Sequence, residues 1–132
     1  MTDSSLTLQG AVYGALTATP AIGAAVYDAV PQDATYPHIE IGDGLALDWS
    51  AILLRGEWHR IDIHVWSRYR GQKEAKELLA KIKDRLHEKS FSLTGNAMVD
   101  IRFSDAETMT DADGLTRHGI IRFTAITTKS AA

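Results

Sequence analysis

The 132-residue chain has no cysteine, which excludes disulfides and thiolate metal sites and fits a reducing cytoplasm without requiring one. Long apolar runs are missing too. The three most apolar segments are each shorter than the roughly 18 residues a membrane span needs, and polar residues interrupt all of them. A soluble protein without membrane association is expected. The start, MTDSSLTLQG, places no positive charge ahead of an apolar block and carries no small-residue cleavage pattern, so no secretory signal is expected.

Catalytic and cofactor signatures are equally scarce. Neither GxGxxG nor GxxxxGKS/T occurs, and Gly10 and Gly14 fall within a helical pattern, not after a strand. Among the five histidines no two have HExxH spacing, and His59 and His64 fall on opposite faces of one strand; only a metal site built across strands stays open. Ser50, Ser67, Ser90 and Ser104 lack a GxSxG elbow. Asp111-Ala112-Asp113-Gly114 resembles a calcium loop only superficially, since the first and twelfth ligands would be Met109 and Ile120; turn chemistry explains it better. No catalytic residue, cofactor or metal is assigned, and no enzyme is expected.

What the chain does have is 45% hydrophobic residues, enough for one domain over 1–132 with an ordered core over about 4–128. Leu8, Val12 and Leu16 recur every fourth residue, predicting a helix from a cap at Ser4 or Ser5 to about Thr17, closed by Pro20. PQDATYP reads as an ordered loop feeding a strand over 38–41 that Gly42-Asp43-Gly44 stops. Two further strands, about 45–50 and 57–68, are expected to join near Leu54-Arg55-Gly56. In the second, Ile61, Ile63 and Val65 alternate with Trp58, Arg60, Asp62, His64 and Trp66. The first set should face the core. The second mixes tryptophans with charges, which suits a surface that meets another chain, or tryptophans lying flat on their own protein.

Residues 72–87 carry Ala75, Leu78, Leu79, Ile82 and Leu86 at helical spacing opposite a charged face. The last third reads as strands at 91–93, around 99–103 and about 115–127, with a turn at Thr94-Gly95-Asn96 and a loose end at KSAA. The final strand is apolar on both faces, through Ile120 and Ile126 on one and Ile121, Phe123 and Ala125 on the other, and so needs cover on both. The elements predict an α+β fold, a mostly antiparallel sheet with two main helices packed on one face.

Charge is unevenly spread. Residues 68–89 hold eight of the fourteen basic side chains and four of the seventeen acidic ones, a net +4 against −7 for the remainder. Such a split orients a protomer against a neighbour or a charged polymer, or is simply a solvated helix face. Arg68, Tyr69, Arg70 and Lys73 form a basic cluster around an aromatic, yet a sequence pI of about 5.9 argues against tight nucleic-acid binding and fits transient passage of DNA better.

The blocks AVYDAVPQDATYPHIEIGD, DWS, HVWSRYRG with its following helix, and RFSDAETMTDADGLTRHGIIRF together resemble, over about residues 10–128, the tail-terminator (tail-completion) family of long-tailed bacteriophages and gene transfer agents. The resemblance implies a non-enzymatic ring, typically of six subunits, assembled in the bacterial cytoplasm onto the head-proximal end of a virion tail tube. There it would stop tube growth and dock the head connector or stopper protein, with DNA passing through its lumen without specific binding. Trp58, Trp66, Arg68, Tyr69 and Arg70 are the expected intersubunit or tube-facing contacts, since aromatics and arginine concentrate interface energy; internal pairing of Arg68 and Arg70 with acids is the alternative. A head–tail connector or stopper component, and a small ligand-binding or catalytic α+β domain, are the rival readings.

Overall fold

The computed structural model describes residues 4–51, 54–93 and 97–130. Helix α1, Ser4–Thr17, turns Leu8, Val12 and Leu16 inward and leaves Leu6 and Tyr13 exposed. It begins at Ser4, so both serines lie in its first turn and the capping position falls outside the described residues. Strand β1, Ala25–Tyr27, is short and lies parallel to β2, His38–Asp48.

β2 differs from expectation. Gly42-Asp43-Gly44 do not stop it; the register against β3, Leu54–Ser67, shifts between Ile41 and Gly44 and pairing resumes to Asp48. Glycine in a strand marks a bulge as readily as an end, and only the partner strand decides which. Here a Cβ on Gly42 would come within 2.6 Å of His64 Nε2. Leu54, Arg55 and Gly56, expected as a joint, open β3 itself. Against β2 the hairpin pairing runs only to Gly56, whose carbonyl accepts from the Trp49 amide at 2.8 Å; Leu54 and Arg55 pair with β6 and not with β2.

Helix α2, Lys73–Leu86, buries all five residues of its apolar stripe. It is followed by β4 (Lys89–Leu93), β5 (Ala97–Thr110) and β6 (Arg117–Ser130). Leu115 and Thr116 belong to the turn before β6, and Lys129 and Ser130, expected to be loose, continue the strand opposite Arg55 and Leu54. The expected turn at 94–96 lies outside the described residues.

The six strands run in the order β1-β2-β3-β6-β5-β4, antiparallel except for β1 and β2. One core cluster joins the stripes of α1 and α2 to Ile61, Ile63, Val65, Ile121, Phe123 and Ala125, so the helices cover one face of a mostly antiparallel α+β sheet. Each fully buried aliphatic or aromatic side chain there contributes about 1.5–3 kcal/mol of transfer free energy.

Two details fix the helical layer. Gly119 of β6 sits under Leu79, where a Cβ would meet Leu79 Cδ1 at 3.1 Å; the missing side chain lets α2 lie close to the sheet. Arg85 of α2 reaches the end of α1, its Nη1 donating to the carbonyls of Ala15 (3.2 Å), Leu16 (3.3 Å) and Ala18 (2.8 Å) and its Nη2 to that of Pro20. A guanidinium thus satisfies carbonyls that the helix end leaves orphaned. Part of the basic segment is therefore an internal clasp.

A helix-free sheet face as candidate assembly surface

The alternation of β3 sends Trp58, Arg60, Asp62, His64 and Trp66 to the face opposite the helices. Register places neighbours beside each of them. At one end His38, Trp66, His118 and Met109 form a row; at the other, Leu47, Trp58, Ile126 and Asp100 do. No helix among the described residues covers this face, although the rings of Tyr27 and Tyr36 pack on His38 at its upper edge and both His38 and Ile120 are buried.

The upper end is an aromatic and imidazole cluster. The ring of His118 stacks on Trp66, centroids 3.8 Å apart and planes within 9°, and its Nε2 lies 2.7 Å from His64 Nδ1. One imidazole must donate and the other accept, so a doubly protonated pair would break the contact. Burial, and next the neighbouring His64, push the His118 pKa below 6.5. Trp66 Nε1 donates to Glu40 Oε1 at 3.4 Å, tying β2 to the cluster, and Met109 is 37% exposed beside His118.

The middle is a charged band. Arg122 donates to Asp105 at 3.1 Å and Glu107 at 3.2 Å, and these bonds raise its pKa further. Asp62 lies between Arg60 and Arg122, at 3.5 and 4.0 Å. At the lower end the surface turns apolar: Leu45, Leu47 and Trp49 are each about half exposed, near Trp58 and Ile126. Gly56 accommodates the Trp49 ring, with its Cβ position 3.1 Å from Trp49 Cε3.

Of the five residues singled out in the sequence, the fold brings Trp66, Arg68, Tyr69 and Arg70 to the upper end and leaves Trp58 at the lower, eight residues or about 27 Å along an extended strand. Arg68 is engaged within the chain, though not by an acid directly. Its guanidinium carbon sits 4.2 Å over the Tyr36 ring and its Nε donates to Thr116 Oγ1 at 3.2 Å. Tyr69 is 53% exposed while its amide donates to Ser67 Oγ, which donates in turn to Glu74 Oε1. Arg70 is exposed.

The 111–116 turn is built by Asp113, whose carboxylate accepts from the amides of Leu115 and Thr116 and from the Thr116 hydroxyl, each at 2.8 Å. Those bonds, the Thr116 amide first, hold its pKa at about 2. Among the described residues no three His, Asp or Glu gather as a metal site. A cavity of about 160 Å³ beside α1, lined by Leu8, Val12, Ile41 and His59 among others, is smaller than the roughly 300 Å³ at which small-molecule pockets begin; a larger, open groove of about 410 Å³ runs between α1 and β1, lined by Leu6, Gln9, Tyr13 and Val26 among others.

Comparison with known proteins places this architecture. A family model described as tail completion protein gp17 matches residues 10–128. The tail completion protein gp17 of Bacillus phage SPP1 is 32% identical over 91 residues, 69% of this chain and 67% of that protein. A chain in the virion of a native gene transfer agent particle superposes with a TM-score of 0.83 at 27% identity, over 95% of this chain and 97% of the other.

Proposed function

The chain belongs to the tail completion protein gp17 family, and from that premise we propose that copies of it form a ring of six at the head-proximal end of a tail tube. As a member of that family it is a structural component of the virion tail and not an enzyme. In the proposed role the ring caps the tube, stops addition of tube subunits and offers the head connector or stopper protein a docking face, while DNA passes through the lumen unread.

The observation that carries this reading is the helix-free sheet face, whose lower end exposes Leu45, Leu47 and Trp49 and whose upper end leaves Met109 and Tyr69 exposed around a partly buried Trp66. Uncovered apolar surface of this kind marks contact with another chain. Trp58 and Trp66 at its two ends, with Tyr69 and Arg70 beside the upper one, are the proposed contact residues; Arg68, engaged with the Tyr36 ring and the Thr116 hydroxyl, ties the strand end to the neighbouring loops. The cluster's Tyr and Arg suit an interface anchor better than a DNA site, because the chain as a whole is acidic.

Particles produced without the protein test the role. Tails of uncontrolled length, or tails that fail to join heads, are the expected result. Tails of normal length joined to heads would overturn it, and a defect in joining alone, with tube length normal, would move the protein to the connector or stopper role.

A further inference from the structure

β2 and β5, second from either edge of the sheet, are each covered over part of their length, and over opposite parts. β1 pairs with His38–Glu40 of β2, whereas β4 pairs with Ala97–Ile101 of β5. Followed across the sheet, the register puts His38 level with Met109, and Ala46 level with Ile101. β1 therefore projects from one edge at the height where β5, over Glu107–Met109, has no outer neighbour among the described residues. β4 projects from the other edge at the height where β2, over Ala46–Asp48, has none. Bare edges present unpaired backbone donors and acceptors that template a further strand.

The edges also match in direction. β2 and β5 run in opposite senses, so a copy related by rotation, with its strands still pointing the same way, brings β1 antiparallel to the neighbouring β5 and β4 parallel to the neighbouring β2. We propose that copies of this chain join edge to edge, β1 of one lying along the bare half of β5 of the next and β4 of the second along the bare half of β2 of the first. The inference rests on the ring reading and names its lateral contact. A second copy is the occupant because each step is filled by the other edge of the same chain. Two different edges make a head-to-tail contact, which closes only by rotation. The exposed Leu47 and Met109 lie within the bare stretches and Leu45 borders one; all three would be shielded by the contact.

The absence of native cysteine makes the test clean. Ala25→Cys with Met109→Cys, and Leu47→Cys with Ser90→Cys, stand level when neighbours have no axial offset; Ala25→Cys with Glu107→Cys, and Leu45→Cys with Ser90→Cys, cover a two-residue slip. A disulfide needs Cα atoms about 4.4–6.8 Å apart, so cross-linking reports the pairing directly. Mild oxidation of purified rings or assembled particles is expected to give at least one double variant a ladder of covalent oligomers ending at ring size, reversed by reductant and absent in the single variants. Rings of full mass by native mass spectrometry, with none of the four double variants cross-linked, would overturn edge pairing while leaving the ring intact. Absence of rings both in solution and on tails would overturn the ring reading itself, and this contact with it.

Discussion

His64 and His118, on neighbouring strands, place Nδ1 and Nε2 2.7 Å apart beneath the Trp66 stack. His118 is held below its ordinary pKa of 6.5 by burial and by His64. The unfolded chain therefore binds its proton more readily, and this site's contribution to stability is full above about pH 6.5 and lost as pH falls through the depressed value. Glu40, Glu107 and Asp111 temper the effect by favouring the charge. Melting temperature is expected to drop between about pH 7.5 and pH 5.5, with a smaller drop in His118→Gln; identical pH profiles would refute the assignment.

Gly42→Ala puts a methyl at the position of the His64 ring edge, 2.6 Å from Nε2, and 3.1 Å from the Asp62 carbonyl. Relief requires the imidazole to move, which breaks its contact with His118. A loss of about 1–3 kcal/mol is expected, together with a change in Trp66 fluorescence, read by equilibrium denaturation and emission spectra.

Arg85→Ala leaves several carbonyls at the end of α1 without their donor. Bonds to a charged group contribute about 1.5–3 kcal/mol, so a loss of about 2 kcal/mol is expected by chemical denaturation. Arg85→Lys should recover only part of it, because one ammonium cannot reproduce the planar fork of two nitrogens over four acceptors. Full recovery by lysine would show that charge alone acts here.

Arg68 and Arg70 separate structure from assembly. Arg68→Ala removes the stack on Tyr36 and the bond to Thr116, costing about 1–2 kcal/mol. Arg70→Ala, and Tyr69→Ala with it, should leave stability within about 0.5 kcal/mol and lower ring or particle yield. A stable Arg68 variant, or unchanged yield with Arg70→Ala, counts against these roles.

Asp113→Ala deletes the acceptor that organises the turn into β6. Its low pKa of about 2 means that its contribution stands above about pH 4 and disappears as pH falls toward 2. The variant should melt lower than the parent at neutral pH, with the gap closing in acid; a gap independent of pH would show that the lost bonds do not depend on ionisation.

The sequence made α2 and the inward face of β3 readable because each carries a strong single period: the stripe Ala75 to Leu86, and Ile61, Ile63, Val65. Gly42-Asp43-Gly44 misled because a turn and a bulge share a local composition, and the difference is made by β3, some twenty residues on. The site was legible only as isolated residues. That Trp66 stacks on His118, or that Arg68 lies on Tyr36, depends on strand order and register, which no local pattern encodes. The strand over about 45–50 was legible as a separate element, but its continuity with 38–41 was not, because the glycines interrupt the alternation locally.

β2 and β5 both slip register just past the stretch that β1 or β4 covers, between Ile41 and Gly44 and between Phe103 and Asp105. Such kinks tilt an open flank away from chance partners. Straightening either kink should therefore favour indiscriminate strand addition, seen as clumping of purified subunits.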